Sequence, residues 1–184
     1  MRILVVGDII LDCYLRSKVS RISPEAPTPV ADIENTEYRL GGAANVANNF
    51  AFQHGVSVDL FSNIGKKTSY RDILESLLRD SKIGYKASIK SKTKLIIKSR
   101  VVSGNYCFIR LDEDTSQKVE SVDLNQKLKA INFDSYEGLY LADYGKGFLD
   151  ETLIKTLIKE FNTRGKSIFV DPAIENIGFY EGAT

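Results

Sequence analysis

The chain has 184 residues, with 25 lysines and arginines against 24 aspartates and glutamates, so its formal net charge is +1. Hydrophobic residues make up 43% and charged residues 27%, the balance of one ordinary globular domain with room for a core. This balance excludes an overall field for nucleic acid, no apolar run approaches the roughly 20 residues of a membrane span, and the N-terminus has no signal-peptide core. Two cysteines, Cys13 and Cys107, are too few for a disulfide scaffold. They read as buried free thiols, neighbours in one β-layer, and the protein as reduced and cytoplasmic.

Ile3 to Val6 is a β-rich run that ends in Gly7-Asp8. Cys13 to Leu40 carries Pro24, Pro27 and Pro29, which exclude a helix and favour extended or edge structure. Ala43, Val46, Ala47, Phe50 and Ala51 have helical spacing, and Gly55 stops that helix. Val56 to Phe61 predicts a strand and Ser69 to Lys82 a helix. Lys66-Lys67 and the lysines from 86 to 98 read as solvated surface. Leu95 to Asp112 holds two β-rich runs around Ser103-Gly104-Asn105, the pattern of a hairpin.

Leu124, Leu128 and Ile131 predict a short helix, and Gly138 to Ala142 a buried strand. Asp150 caps a helix carrying Leu153, Ile154, Leu157, Ile158 and Phe161, and Ser167 to Val170 is the last strand. Strand and helix alternate, which argues for a parallel sheet with helices on both faces. The stretches at about 13–40 and 95–112 break that rhythm and read together as a small antiparallel β-layer inserted into it.

Ligands of open parallel sheets sit at the carboxyl ends of the strands. Three such ends carry Asp8 with Asp12, Asp143-Tyr144-Gly145-Lys146-Gly147, and Asp171-Pro172. Carboxylates there can accept sugar hydroxyls or hold a divalent cation, although each aspartate alone is as readily a turn former or cap. Gly41-Gly42-Ala43-Ala44-Asn45 opens a helix, where glycines admit a ligand to the backbone and Asn45 adds an amide. Neither a dinucleotide fingerprint nor a G-x-x-x-x-G-K-[ST] phosphate loop occurs. His54, the single histidine, reads as a solvated residue at a helix end, so a serine-type triad has no candidate.

Several segments together resemble one family. Gly7 to Asp12, Arg21 to Val30, and Tyr38 to Ala47 are similar to the ribokinase-like carbohydrate kinases, most of all to the heptose-7-phosphate kinase modules of bifunctional ADP-heptose synthases. Asn105 with Ile109 to Asp112, Ala142 to Gly147, Val170-Asp171-Pro172 and Gly182-Ala183-Thr184 continue the resemblance in order. It implies a Rossmann-like α/β fold with a β-lid, and ATP-dependent phosphorylation of D-glycero-D-manno-heptose 7-phosphate at its anomeric hydroxyl, on the route to lipopolysaccharide heptose. By the family pattern Asp12, Gly41, Gly42 and Asn45 hold the sugar, with Asp143 beside them, while Arg110 and Lys146 are candidates for its phosphate. ATP and Mg²⁺ are the implied cofactors, and a homodimer through the lid the implied assembly.

The chain departs from the family at Tyr106-Cys107, where a Gln-Gln pair is usual, at Lys66-Lys67, where an acidic pair is usual, and at Ala173, where a lysine is usual. The family's Gly-Ala-Gly-Asp element, which supplies the anion hole and catalytic base, has no counterpart in residues 1–184, nor has its Asn-and-Glu magnesium element. The expectation is therefore the N-terminal part of a sugar-phosphate kinase with no base of its own, its last strand an open sheet edge that favours association. Two alternatives stand beside it: a non-catalytic sugar-binding or dimerisation module, and a kinase of another sugar in the same superfamily.

Overall fold

Ile3 to Val6 are apolar at every position, so they can sit only in a strand covered on both faces. The computed structural model, which describes residues 1–65, 68–89, 93–114 and 121–184, places them there. The elements in chain order begin with β1 (Arg2–Gly7), β2 (Ile9–Ile22), β3 (Pro29–Gly42), α1 (Ala43–Ala51), β4 (Ser57–Asn63), α2 (Ser69–Asp80) and β5 (Gly84–Ile89). Then follow β6 (Ile96–Ser103), β7 (Tyr106–Glu113), α3 (Ser121–Lys129), β8 (Gly138–Ala142), α4 (Glu151–Asn162), β9 (Ser167–Asp171) and a 3₁₀ stretch at Ile174–Tyr180.

The main sheet is five-stranded, in the order β5–β4–β1–β8–β9, and every neighbouring pair is parallel. Leu4 and Val6 point to one face, where Leu124 and Leu128 of α3 and Leu153, Leu157 and Phe161 of α4 cover them. Ile3 and Val5 point to the other, under Ala43, Ala44 and Ala47 of α1 and Leu74 and Leu78 of α2. Each fully buried Leu, Val or Phe contributes about 1.5–3 kcal/mol, so these two layers hold the fold. Asp150 caps α4, its carboxylate accepting from the Leu153 N–H at 2.8 Å.

The second sheet has the order β3–β2–β6–β7. It is mixed rather than wholly antiparallel: β2 pairs antiparallel with β3, and β6 antiparallel with β7, but β2 and β6 run parallel. The two hairpins enter from the main sheet in the same sense, so their inner strands lie side by side in one direction. Pro29 opens the edge strand β3, where a missing N–H is tolerated. Leu11, Cys13 and Leu15 of β2 pack with Ile97 into the α1–α2 layer. The opposite face of the lid is polar.

Residues 84–89, for which the sequence predicts no strand, form β5 at the edge of the main sheet. Two expectations are corrected. Cys107 is exposed while Cys13 is buried. The two thiols are also not neighbours, because β6 lies between their strands. Lys66-Lys67 lies outside the described residues. Beyond β9, Thr184 meets the outer edge, its N–H donating to the Ile168 carbonyl at 3.2 Å and its hydroxyl accepting from the Ile168 N–H at 3.0 Å. Among the described residues no helix is long and apolar enough to cross a membrane.

At the far end of the sheet from the strand termini that carry the aspartates, Asp59 is buried beneath Arg2 and Tyr136. Its Oδ2 accepts from Arg2 Nη2 at 2.7 Å and from the Tyr136 hydroxyl at 2.8 Å. Arg2 is partly exposed, so water takes over part of the role of Asp59, while the buried Tyr136 hydroxyl loses its acceptor. Asp59→Ala is expected to destabilise the fold by about 1–2 kcal/mol, read as a fall in melting temperature, whereas a change below about 0.5 kcal/mol would show that solvent already serves both groups.

Candidate functional site

The carboxyl ends of β1 and β8 meet the lid at Asp8, the residue between β1 and β2. Asp8 is fully buried and gathers the loop after β8. Its Oδ2 accepts from the N–H groups of Tyr144 (3.0 Å) and Lys146 (3.3 Å), and its Oδ1 from that of Phe148 (3.1 Å). Burial raises the Asp8 pKa above the usual carboxylate range, against the pull of these three N–H groups, and Asp143 adds to the rise. The Asp8 carbonyl also accepts the Ala43 N–H at 2.9 Å, tying the start of α1 to the same corner.

Asp143 is buried and engaged on both oxygens. Oδ1 accepts from the Gly145 N–H at 2.9 Å, and Oδ2 from Asn176 Nδ2 at 2.8 Å and the Tyr180 hydroxyl at 2.7 Å. Burial, followed by the bond to Asp143, pushes the Tyr180 hydroxyl pKa strongly upward, so Tyr180 stays a donor. This geometry makes Asp143 the fastener of the 3₁₀ stretch onto β8. Ala173 begins that stretch, its carbonyl accepting the Asn176 N–H at 3.0 Å.

Asp12 differs. It lies on the polar face of β2, with Oδ1 accepting from Arg100 Nη1 at 2.6 Å. Its Oδ2 has no protein donor among the described residues and lies over Gly41, where a Cβ would stand 2.5 Å from it. Gly42, with φ of 55°, caps α1 in a conformation that side chains resist, and a Cβ there would run into the Asp8 carbonyl. Asn45, in the first turn of α1, is exposed and shares with Asp12 a cavity of about 440 Å³ that Tyr14, Arg39 and Asn48 also line. Asp12, Gly41, Gly42 and Asn45 thus form one corner, with an acceptor oxygen, an amide and a backbone stripped of side chains.

These two glycines separate by experiment. Gly42→Ala is expected to cost about 1–3 kcal/mol of stability through backbone strain. Gly41→Ala displaces the Asp12 carboxylate, and weakens a bound polyol about 10-fold by loss of one charged hydrogen bond. Melting curves and calorimetry on the pair read the two effects, and equal losses in both would refute the assignment.

The two cations predicted for a phosphate stand apart. Lys146 reaches across to the end of β7, where its Nζ pairs with Asp114 at 2.7 Å. Arg110 lies on the exposed β7 and is held by Asp112 of its own strand at 2.8 Å. Tyr106 stacks edge-on against Phe108, 4.8 Å between centroids, on the same strand. Residues to which the sequence assigns no role include Arg100, Arg39, Tyr14 and Tyr144. The Tyr144 hydroxyl is raised in pKa by burial and then by nearby groups that include Asp171, Asp12 and Asp8. Arg100 pairs in register with Arg110, and only the strand order decides which of the two reaches Asp12.

Among the described residues no three histidine, cysteine or carboxylate side chains gather to hold a metal ion, and no phosphate loop or Gly-Ala-Gly-Asp element occurs in the sequence. No step of phosphoryl transfer is therefore assigned to them.

Comparison with known proteins fits this arrangement. The bifunctional protein HldE of Coxiella burnetii is 37% identical over 184 residues, covering 100% of this chain and 38% of that protein. The HldE protein of Caulobacter sp. is 33% identical over 182 residues, covering 99% of this chain and 37% of that protein. The chain spans roughly two fifths of the length of the curated relatives it matches. The crystal structure of a possible 1-phosphofructokinase from Thermotoga maritima superposes with a TM-score of 0.75 at 16% identity, over 100% of this chain and 57% of that one. That likeness shows a shared ribokinase-like fold. With residues 1–181 matching the model of the pfkB family of carbohydrate kinases, the chain belongs to that family.

Proposed function

We propose that this chain is the sugar-binding and lid part of an ATP-dependent kinase acting on the anomeric hydroxyl of D-glycero-D-manno-heptose 7-phosphate, in the making of ADP-heptose. The observation that carries the sugar site is Asp12. Arg100 fixes one carboxylate oxygen and Gly41 leaves room at the other, so that oxygen is an oriented acceptor for a hydroxyl. Asn45 and Asn48 supply further polar groups in the same cavity. Lys146 remains a candidate for the phosphate if its pair with Asp114 opens, and the choice of heptose rests on the similarity to the HldE proteins. ATP and Mg²⁺ belong to the proposed reaction, and the cytoplasm to its setting.

Calorimetry with heptose 7-phosphate, fructose and ribose tests the reading. Heptose 7-phosphate is expected to bind at least about 10-fold more tightly than the other two, a difference of about 1.4 kcal/mol. Equal or absent binding of all three removes the assignment. Residues 1–184 by themselves are expected to turn over no ATP, and measurable heptose phosphorylation by them would refute this division of roles.

A lid-to-lid homodimer is part of the proposal. It is supported by β7, an outer strand whose Tyr106, Phe108, Ile109 and Leu111 are all exposed. Sedimentation of the chain and of Leu111→Lys reads the assembly, with a dimer expected for the first and a monomer for the second.

A further inference from the structure

The cavity beside Asp12 continues past the residues that the family pattern assigns to the sugar. Helix α1 buries Ala43, Ala44, Ala47 and Ala51, and its stripe of Asn45, Asn48 and Phe52 lines one wall of that cavity. Leu77 and Asp80 of α2 line another. The cavity of about 440 Å³ thus has two ends. The inner one holds Asp12 and Asn45, and the outer one, between the two helices, holds Asn48, Phe52, Leu77 and Asp80.

The polar groups of the outer end are not equally spent. Ser81, at the end of α2, donates its hydroxyl to the Leu78 carbonyl at 2.7 Å and accepts the Ile83 N–H at 3.3 Å. Asn48 is half-buried, and its side-chain amide has no protein partner among the described residues. The Asn45 amide is open in the same way, and side chains three apart on a helix start about 5–6 Å from one another. Two open amides therefore follow one another along the cavity, within the span of a single sugar. Asp80 is exposed and makes no ion pair among the described residues, so its charge opposes a phosphate at this end. The ligand group that fits here is neutral and hydroxylated, with its carbons against Phe52 and Leu77.

We propose that Asn48 is a specificity-determining residue, its amide reading a sugar hydroxyl beyond those held by Asp12 and Asn45, so that the outer end selects sugars longer than a pentose. This selectivity rests on the proposed sugar-kinase reading and deepens it. A pentose held at Asp12 and Asn45 leaves the Asn48 amide to water, whereas a longer sugar replaces that water by a hydroxyl. An amide suits the task because it donates and accepts at once. A site built for a hydroxyl discriminates against a ligand that lacks it, since its polar group is then left unpaired. Asp80 fixes the orientation, with the phosphate-bearing end of the sugar pointing away from α2.

The test uses the whole 184-residue chain with heptose 7-phosphate and ribose, followed through the asparagine side-chain amide signals by NMR, which reads weak binding. Heptose 7-phosphate is expected to shift both Asn45 and Asn48, and ribose Asn45 alone. Calorimetry on Asn48→Ala is expected to show heptose 7-phosphate weakened about 5-fold, the loss of one neutral hydrogen bond, with ribose unchanged. Asn45→Ala is expected to weaken both sugars. Asn48→Gln, which keeps the amide, should recover part of the loss, and Asn48→Leu none of it. Alanine is the better helix former and Asn48 has no partner to lose, so the melting temperature of Asn48→Ala should hold or rise.

Heptose 7-phosphate that shifts Asn45 but leaves Asn48 still, or an Asn48→Ala chain that loses both sugars alike or neither, overturns the assignment and leaves the sugar reading in place. A parent chain in which neither sugar shifts Asn45 overturns the sugar reading itself, and the role of Asn48 with it. Asp80→Asn reads the orientation. It is expected to change the affinities for heptose 7-phosphate and for the unphosphorylated heptose by the same factor. A gain confined to the phosphorylated sugar would put the phosphate at this end and overturn a neutral hydroxyl as the group that Asn48 reads.

Discussion

Asp12→Ala is expected to weaken sugar binding by about 100-fold while leaving the melting temperature close to that of the parent chain. The carboxylate is the oriented acceptor of the site, and hydrogen bonds to a charged group are worth about 1.5–3 kcal/mol each. Loss of two hydroxyl contacts, or of one together with its positioning, corresponds to about 100-fold in affinity. The cost to the fold is small because the Arg100 guanidinium retains water and the Tyr14 ring. Asp12→Asn should fall between the two, since an amide oxygen still accepts but carries no charge. Calorimetry with the sugar phosphate decides the matter: unchanged affinity in Asp12→Ala would move the sugar away from this corner altogether.

Such a test could be framed from sequence, and the reasons bear on what sequence can show. β8, α1 and α4 are legible because each carries its own local signal: a short apolar run, or apolar residues three and four apart between a cap and a glycine. The grouping of Asp12 with Gly41-Gly42 and Asn45 follows instead from the resemblance to the carbohydrate kinases, because no local pattern joins an aspartate inside β2 to the start of α1. Arg100 is legible in neither way. Its place beside Asp12 follows from the parallel pairing of β2 with β6, a contact across 88 residues that no local pattern encodes. Arg110, its register partner one strand further out, looks the same in sequence and ends on an exposed strand. The strand β5 is hidden for a different reason: its six residues include a glycine, a lysine and a serine and form no apolar run or strict alternation that would mark a strand. Asp143 has the right position at a strand end, yet its oxygens are taken by groups from residues 145, 176 and 180, two of them in a 3₁₀ segment without periodic signal.

Asp8 carries the largest structural consequence. In Asp8→Ala the N–H groups of Tyr144, Lys146 and Phe148 lose their acceptor together, and a buried donor left unpaired costs about 1–3 kcal/mol. Water can reach the partly exposed Tyr144 and Lys146 but not the buried Phe148, so a net loss of about 2–3 kcal/mol is expected. The loss should appear first as faster amide exchange at these three positions, because their N–H groups all donate to this one carboxylate. The dependence on pH has the opposite sign to that of an ion-paired carboxylate. Burial holds the Asp8 pKa above its unfolded value, so between those two values the folded chain binds more protons than the unfolded one. The stability contributed by Asp8 is therefore greatest on the acid side of that window and declines as pH rises through it. Denaturation of the parent and of Asp8→Asn across the carboxylate range reads this directly, since asparagine does not titrate. The advantage of the parent should narrow as pH rises, and a widening advantage would show that the three N–H donors outweigh burial at this corner.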